Sequence, residues 1–92
     1  MSPAPQRSHE EKMVLLLQLI CDNEGWHSRG DLAKSLGYKY AATVAKALRD
    51  LASMEFITRR SVPLPNGQKR YDYIATDLGC YKLAELKGAG FL

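Results

Sequence analysis

The sequence predicts a mostly α fold with a small β-hairpin, an α+β domain in the order helix, helix, helix, hairpin, helix. Three observations predict it. Polar residues able to cap a helix, Ser8, Ser28 and Thr76, each precede apolar residues at helical spacing. Two runs rich in β-forming residues, 56–62 and 71–75, flank an Asn66-Gly67 pair whose residues both tolerate positive φ. The 92 residues hold no repeat or low-complexity tract and fit one domain, in which residues 1–7 form a flexible arm, 8–87 the fold and 88–92 a short tail.

Ser8 and Glu11 have the spacing of a capping box, in which hydroxyl and carboxylate reciprocally satisfy the amides of a helix start. A first helix is predicted at roughly 9–22, with Met13, Leu16, Leu17 and Ile20 in step and the polar run 22–25 as its stop. Val14, Leu15 and Leu19 extend the apolar surface beyond one face, so this helix is expected to be covered on two sides. Together with Leu83, Leu86, Phe91 and Leu92 it supplies either an interface with a second copy or the closure of a single chain's core.

The second helix opens at Ser28, carries Asp31 near the positive end of its dipole, and buries Leu32, Ala33 and Leu36 before Gly37 ends it. A tight turn over 37–40 leads to a third helix at about 41–54, with Val44, Leu48 and Leu51 inward and several alanines that favour helix. One of Tyr38 and Tyr40 is expected to serve the core or the turn. The hairpin has a proline-stiffened tip, from Pro63 and Pro65. Thr76 then caps a last helix at roughly 77–87, where Leu78, Tyr81, Leu83 and Leu86 are spaced for burial.

Composition excludes several classes. With 46% hydrophobic and 25% charged residues the chain reads as an ordinary globular domain. Its longest apolar run, 13–17 with 19–21 beyond it, is far short of the ~20 residues a bilayer span needs. Residues 1–7 have no secretory pattern, so a cytoplasmic location is expected. Cys21 and Cys80 have no metal-ligand spacing and read as two reduced, buried cysteines, with a redox pair or an intermolecular disulfide left open. His9 reads as a surface residue and His27 as part of a loop. No nucleophile motif, phosphate loop or paired-carboxylate arrangement is present, so neither catalysis, nor a metal, nor a cofactor is expected.

Charge is distributed unevenly: residues 1–28 carry −2, 29–56 carry +2, 57–70 carry +4 and 71–92 carry −1, within a net +3. The cationic middle is where a polyanion would dock. With Val44, Leu48 and Leu51 inward, the outward face of the third helix holds Lys39, Tyr40, Ala42, Thr43, Lys46 and Arg49. These residue types suit double-stranded DNA: Lys46 and Arg49 can donate to guanine or phosphate, Thr43 to either, and alanine permits close approach. Arg49 could instead pair with Asp50 or Glu85. In the hairpin, alternation sends Arg59 and Arg60 to opposite faces, so at most one meets a given surface. Arg60, Lys69 and Arg70 are the wing candidates, the last two beside the tip; cations that protect a sheet edge are the competing explanation.

Residues 26–86 resemble winged helix-turn-helix regulators of the broad MarR and PadR kind. The resemblance is carried by DLAKSLG at 31–37, ATVAKALRDL at 42–51, MEFIT at 54–58 and YIATDLG at 73–79. It implies a homodimeric transcriptional regulator on a palindromic operator, with groove reading at Thr43 and Lys46 and backbone contact around Arg70. Where those families usually place glycine, this chain has Glu55. The acidic-then-Arg wing tip of the MarR branch is replaced by residues 65–70, and the long flanking dimerisation helices are missing. Two other uses of the same fold remain in view: a protein–protein interaction module, and a plasmid or viral replication or accessory factor that binds DNA.

Overall fold

The computed structural model describes residues 6–90. Helix α1 spans His9–Asp22, α2 Arg29–Ser35, α3 Ala45–Ser53 and α4 Asp77–Gly88; strands β1, β2 and β3 span His27–Ser28, Ile57–Pro63 and Lys69–Ala75. Three helices, a hairpin and a final helix give the winged helix-turn-helix order. The sequence reading of the hairpin is extended by a third strand, since the sheet order is β1-β3-β2 with all neighbours antiparallel. Residues 1–5 and 91–92 fall outside the described residues, and with them most of the expected arm and the apolar pair Phe91 and Leu92.

The three capping residues act as their spacing predicts. The hydroxyls of Ser8, Ser28 and Thr76 accept from the amides of Glu11, Asp31 and Gly79 at 3.1, 3.2 and 3.0 Å. Each fixes the direction in which a helix leaves the preceding segment. Thr76 does a second job, donating its hydroxyl to the Glu55 carbonyl at 2.6 Å and so tying the start of α4 to the end of α3.

Leu16, Leu17 and Ile20 of α1 meet Leu32 and Ala33 of α2, Leu48 and Leu51 of α3, Ile57, Tyr73 and Leu83 in one buried cluster. Tyr38 belongs to this core and Tyr40 is exposed, which resolves the two tyrosines. Arg7 donates to the Leu36 carbonyl at 2.9 Å, so contact with the domain begins before α1. Among the described residues no helix is long and apolar enough to cross a membrane.

Two helices end by the same device with different residues. After α2, Gly37 has φ +85°, with Gly37 N–H bonded to the Lys34 carbonyl and Tyr38 N–H to the Ala33 carbonyl. After α3, Glu55 takes the same place with φ +64°, its N–H bonded to Ala52 and that of Phe56 to Leu51. Both are Schellman motifs, in which a left-handed residue lets the chain satisfy the last helical carbonyls. Glu55 therefore keeps the turn into β2 that glycine makes elsewhere, in a conformation that costs a side-chain-bearing residue energy.

The hairpin tip uses the Asn66-Gly67 signal within a longer loop. Residues 64–68 form the loop, closed by Leu64 N–H to the Gln68 carbonyl at 2.8 Å and Gly67 N–H to the Leu64 carbonyl at 3.0 Å. Only Gly67 of the pair has positive φ, while Asn66 accepts from the Gln68 amide through its side chain at 3.1 Å. Pro65 pre-sets the turn and Gly67 reverses it. The strands consequently begin and end symmetrically about the loop, with Pro63 opposite Lys69.

The cysteines are not both buried. Cys21, in the last turn of α1, is half-buried and Cys80, in the first turn of α4, is exposed. Their sulfurs lie 2.9 Å apart.

Candidate nucleic-acid interface

The lead-in to α3 is a 3₁₀ turn, Ala41–Val44, rather than a first turn of α-helix. Tyr40 provides no side-chain cap there, and the β-branched Thr43 and Val44 disfavour the regular helix. Beyond it, Val44, Ala47, Leu48 and Leu51 enter the core, which leaves Ala42, Lys46 and Arg49 exposed on the opposite side. Asp50 is engaged by His9, Nε2 to Oδ2 at 2.6 Å. Neither expected partner holds Arg49, which has no ion pair among the described residues, and His9 is a bridge between α1 and α3 rather than a simple surface residue.

The register of β2 and β3 sorts the hairpin cations. Arg59 stands opposite Tyr73 and Arg60 opposite Asp72, so alternation places them on different faces. Arg59 shares its face with Tyr71, over whose ring its guanidinium lies at 4.6 Å. Arg60 lies over the Trp26 indole at 4.3 Å and approaches Asp72 at 3.6 Å. Asp72 is 4% exposed and also accepts from Arg70 Nε and a terminal guanidinium nitrogen, at 3.0 and 3.3 Å. A carboxylate this buried requires opposite charge and hydrogen bonds, and the two arginines supply them.

Two open clefts lie side by side between the helices and the hairpin. The first, about 360 Å³, runs along α3 and is walled by Ala42, Ala45, Lys46 and Arg49 on one side and Arg59, Tyr71 and Tyr73 on the other, with Arg29 at its end. The second, about 350 Å³, lies between the start of α2 and the hairpin tip, walled by Ser28, Arg29, Gly30, Ala41, Leu64, Lys69, Arg70 and Tyr71. Arg29 and Tyr71 belong to both, so the two make one concave surface. Six cations line it, Arg29, Lys46, Arg49, Arg59, Lys69 and Arg70, and no acidic residue does.

Of the residues expected from the sequence, Ala42, Lys46, Arg49, Lys69 and Arg70 are brought together here. Lys39, Tyr40 and Thr43 precede or belong to the 3₁₀ turn and wall neither cleft; Lys39 lies over the Tyr40 ring at 5.6 Å and Thr43 is half-buried. Arg60 walls neither cleft, because the register turns it against Trp26 and Asp72; Arg70 shares that face and that carboxylate and borders the second cleft near the hairpin tip. Arg59 takes its place in the cleft. Arg29 was missed as well. A basic residue at the first position of a helix opposes the helix dipole, which is the one local sign that Arg29 has another purpose.

No family model matches the chain, and comparison with curated proteins finds no match. Solved structures share its fold. A PadR-like transcription factor from Bacteroides fragilis superposes with TM-score 0.76 at 18% identity, over 88% of this chain and 81% of that one. A PadR-like transcriptional regulator from Bacillus cereus gives 0.66 at 20%, over 84% and 78%. Bacillus subtilis PadR, solved in complex with operator DNA, gives 0.69 at 20%, over 79% of this chain and 44% of that one.

Proposed function

We propose that the chain binds double-stranded DNA with sequence selectivity and acts in the cytoplasm as a transcriptional regulator. The observation that carries this reading is the single concave surface of six cations joining α3 to the hairpin. A major groove about 12 Å wide admits a helix such as α3, whose Lys46 and Arg49 can donate to guanine or to phosphate while Ala42 lets the backbone come close. Arg29, Arg59 and Lys69 then face the sugar-phosphate strands on either side. Bacillus subtilis PadR, of similar fold, was solved in complex with operator DNA, which supports DNA as the partner.

A homodimer completes the reading. Leu78 and Tyr81 of α4 are 48% and 66% exposed, and Val14 and Leu15 of α1 are only half-buried, so both flanking helices offer apolar surface to a second copy. Two-fold symmetry would set the α3 helices about 34 Å apart, one turn of DNA.

The test is selection from a random duplex library at low salt, followed by anisotropy titration of the enriched and scrambled sequences. Lys46→Ala is expected to narrow the difference between the two duplexes by about tenfold, the worth of one good base contact. Lys69→Ala should weaken both alike. Absence of binding to any duplex at low salt overturns the proposal in favour of a protein-docking role.

A further inference from the structure

We propose that Cys21 and Cys80 are an oxidation site, at which hydrogen peroxide converts the two thiols into an intramolecular disulfide that locks α1 to α4. The sulfurs are already 2.9 Å apart across 59 residues of chain. A disulfide bond is about 2.05 Å long, so less than about 1 Å of further approach is needed. The two side chains come from helix ends that pack against each other, where such a movement requires little rearrangement. The site stands apart from the cationic clefts, none of whose walls includes either cysteine, and does not depend on what those clefts bind.

The two sulfurs differ in a way that sets the order of events. Cys80 is exposed and open to a small oxidant. Burial pushes the Cys21 thiol up to about 12, helped by its hydrogen bond and charge interaction with Cys80 and by the charge of Asp22, and opposed by Lys87. Cys21 therefore remains a protonated thiol while Cys80 meets the peroxide first. The Cys80 sulfur attacks one oxygen of hydrogen peroxide; the O–O bond breaks, the other oxygen takes up the thiol proton and leaves as water, and Cys80 carries a sulfenic acid. The Cys21 sulfur then attacks the Cys80 sulfur, its proton passing to the departing hydroxyl, which leaves as a second water. Two thiols have lost two electrons and one hydrogen peroxide has gained them. A dithiol reductant reverses the bond.

The consequence is mechanical. The start of α4 is tied to the end of α3 through Thr76 and Glu55, so a bond from Cys80 to Cys21 anchors that junction to α1 as well. Closing a loop of this length restricts the unfolded chain strongly, and the melting temperature is expected to rise on the order of 10 °C.

The experiment takes the full chain, reduced and desalted, and treats it with hydrogen peroxide in modest excess. Intact mass should fall by about 2 Da, as a disulfide requires, both titratable thiols should disappear, and the chain should not form covalent dimers on a non-reducing gel. Cys21→Ser should stop at the sulfenic acid, trapped by dimedone on Cys80, whereas Cys80→Ser should react at least tenfold more slowly. Stepwise oxygen addition to the unsubstituted protein without the mass loss, disulfide-linked dimers, or equal rates for the two variants would each overturn the proposal. A disulfide that forms without raising the melting temperature would overturn the clamp.

Discussion

Glu55 and Gly37 hold equivalent positions in the two Schellman motifs, at φ +64° and +85°. Only glycine does so without a Cβ cost, which for other residues is about 1–2 kcal/mol. Glycine gives back about 0.5–1 kcal/mol through the freedom it adds to the unfolded chain. Glu55→Gly is therefore expected to stabilise the fold by about 0.5–1 kcal/mol, raising the melting point by several degrees in a domain of this size. A thermal melt showing a lower midpoint would mean that the Glu55 side chain compensates for its own backbone. Gly79 presents the opposite case. A Cβ built there would lie 1.9 Å from the Phe56 carbonyl oxygen and 2.7 Å from its carbon, backbone atoms that cannot rotate aside. Gly79→Ala is expected to cost at least about 2 kcal/mol despite the better helix propensity of alanine, measured as a fall in the urea midpoint with unchanged slope. The glycine at 79 and the glutamate at 55 are both legible as letters, but the sequence reading could flag only the second. What forbids a Cβ at 79 is the backbone of Phe56, the residue before β2, which is distant in the chain.

At the scale of elements, local chemistry was readable where it was local. The caps at Ser8, Ser28 and Thr76 each concern an amide three residues away, and the opposed directions of Arg59 and Arg60 follow from strand alternation alone. Which arginine faces α3 depends on which side of the sheet is covered, and that is tertiary information. Strand β1 escaped notice because two residues show no periodicity; it exists by pairing His27 and Ser28 with Tyr73 and Asp72. The hairpin now makes a divided prediction. Arg59→Ala removes a cation from the cleft and should weaken binding to all duplexes, reducing the salt slope by about 1. Arg60→Ala removes a contact with Trp26 worth about 0.5–1 kcal/mol at such a site and should lower stability slightly while leaving the slope alone. Equal loss of affinity in the two variants would show that both faces of the hairpin meet DNA, and the assignment of the cleft would fail.

On the scale of the whole molecule, the composition gave only a net +3, too small to argue from. Folding changes its meaning, because Asp50 is held by His9 of α1 and Asp72 is buried against Arg60 and Arg70, which leaves Arg29, Lys46, Arg49, Arg59 and Lys69 without an ion pair among the described residues on the surface they share with Arg70. Each cation that neutralises a phosphate releases counterions, and the logarithm of affinity falls with the logarithm of salt by about 0.9 per contact. Six contacts would give a slope near −5 for one protomer, with Arg70 contributing less because Asp72 competes for it. A dimer that places both clefts on one operator should approach about −10, and between 50 and 200 mM salt its affinity would fall by roughly a millionfold rather than the thousandfold of a single copy. Titration over that range, with sedimentation measuring how many copies sit on each duplex, separates the two assemblies. A slope near −5 with two copies bound would mean that the copies share the contacts of one cleft. A slope near zero would remove phosphate contact from the function of this surface.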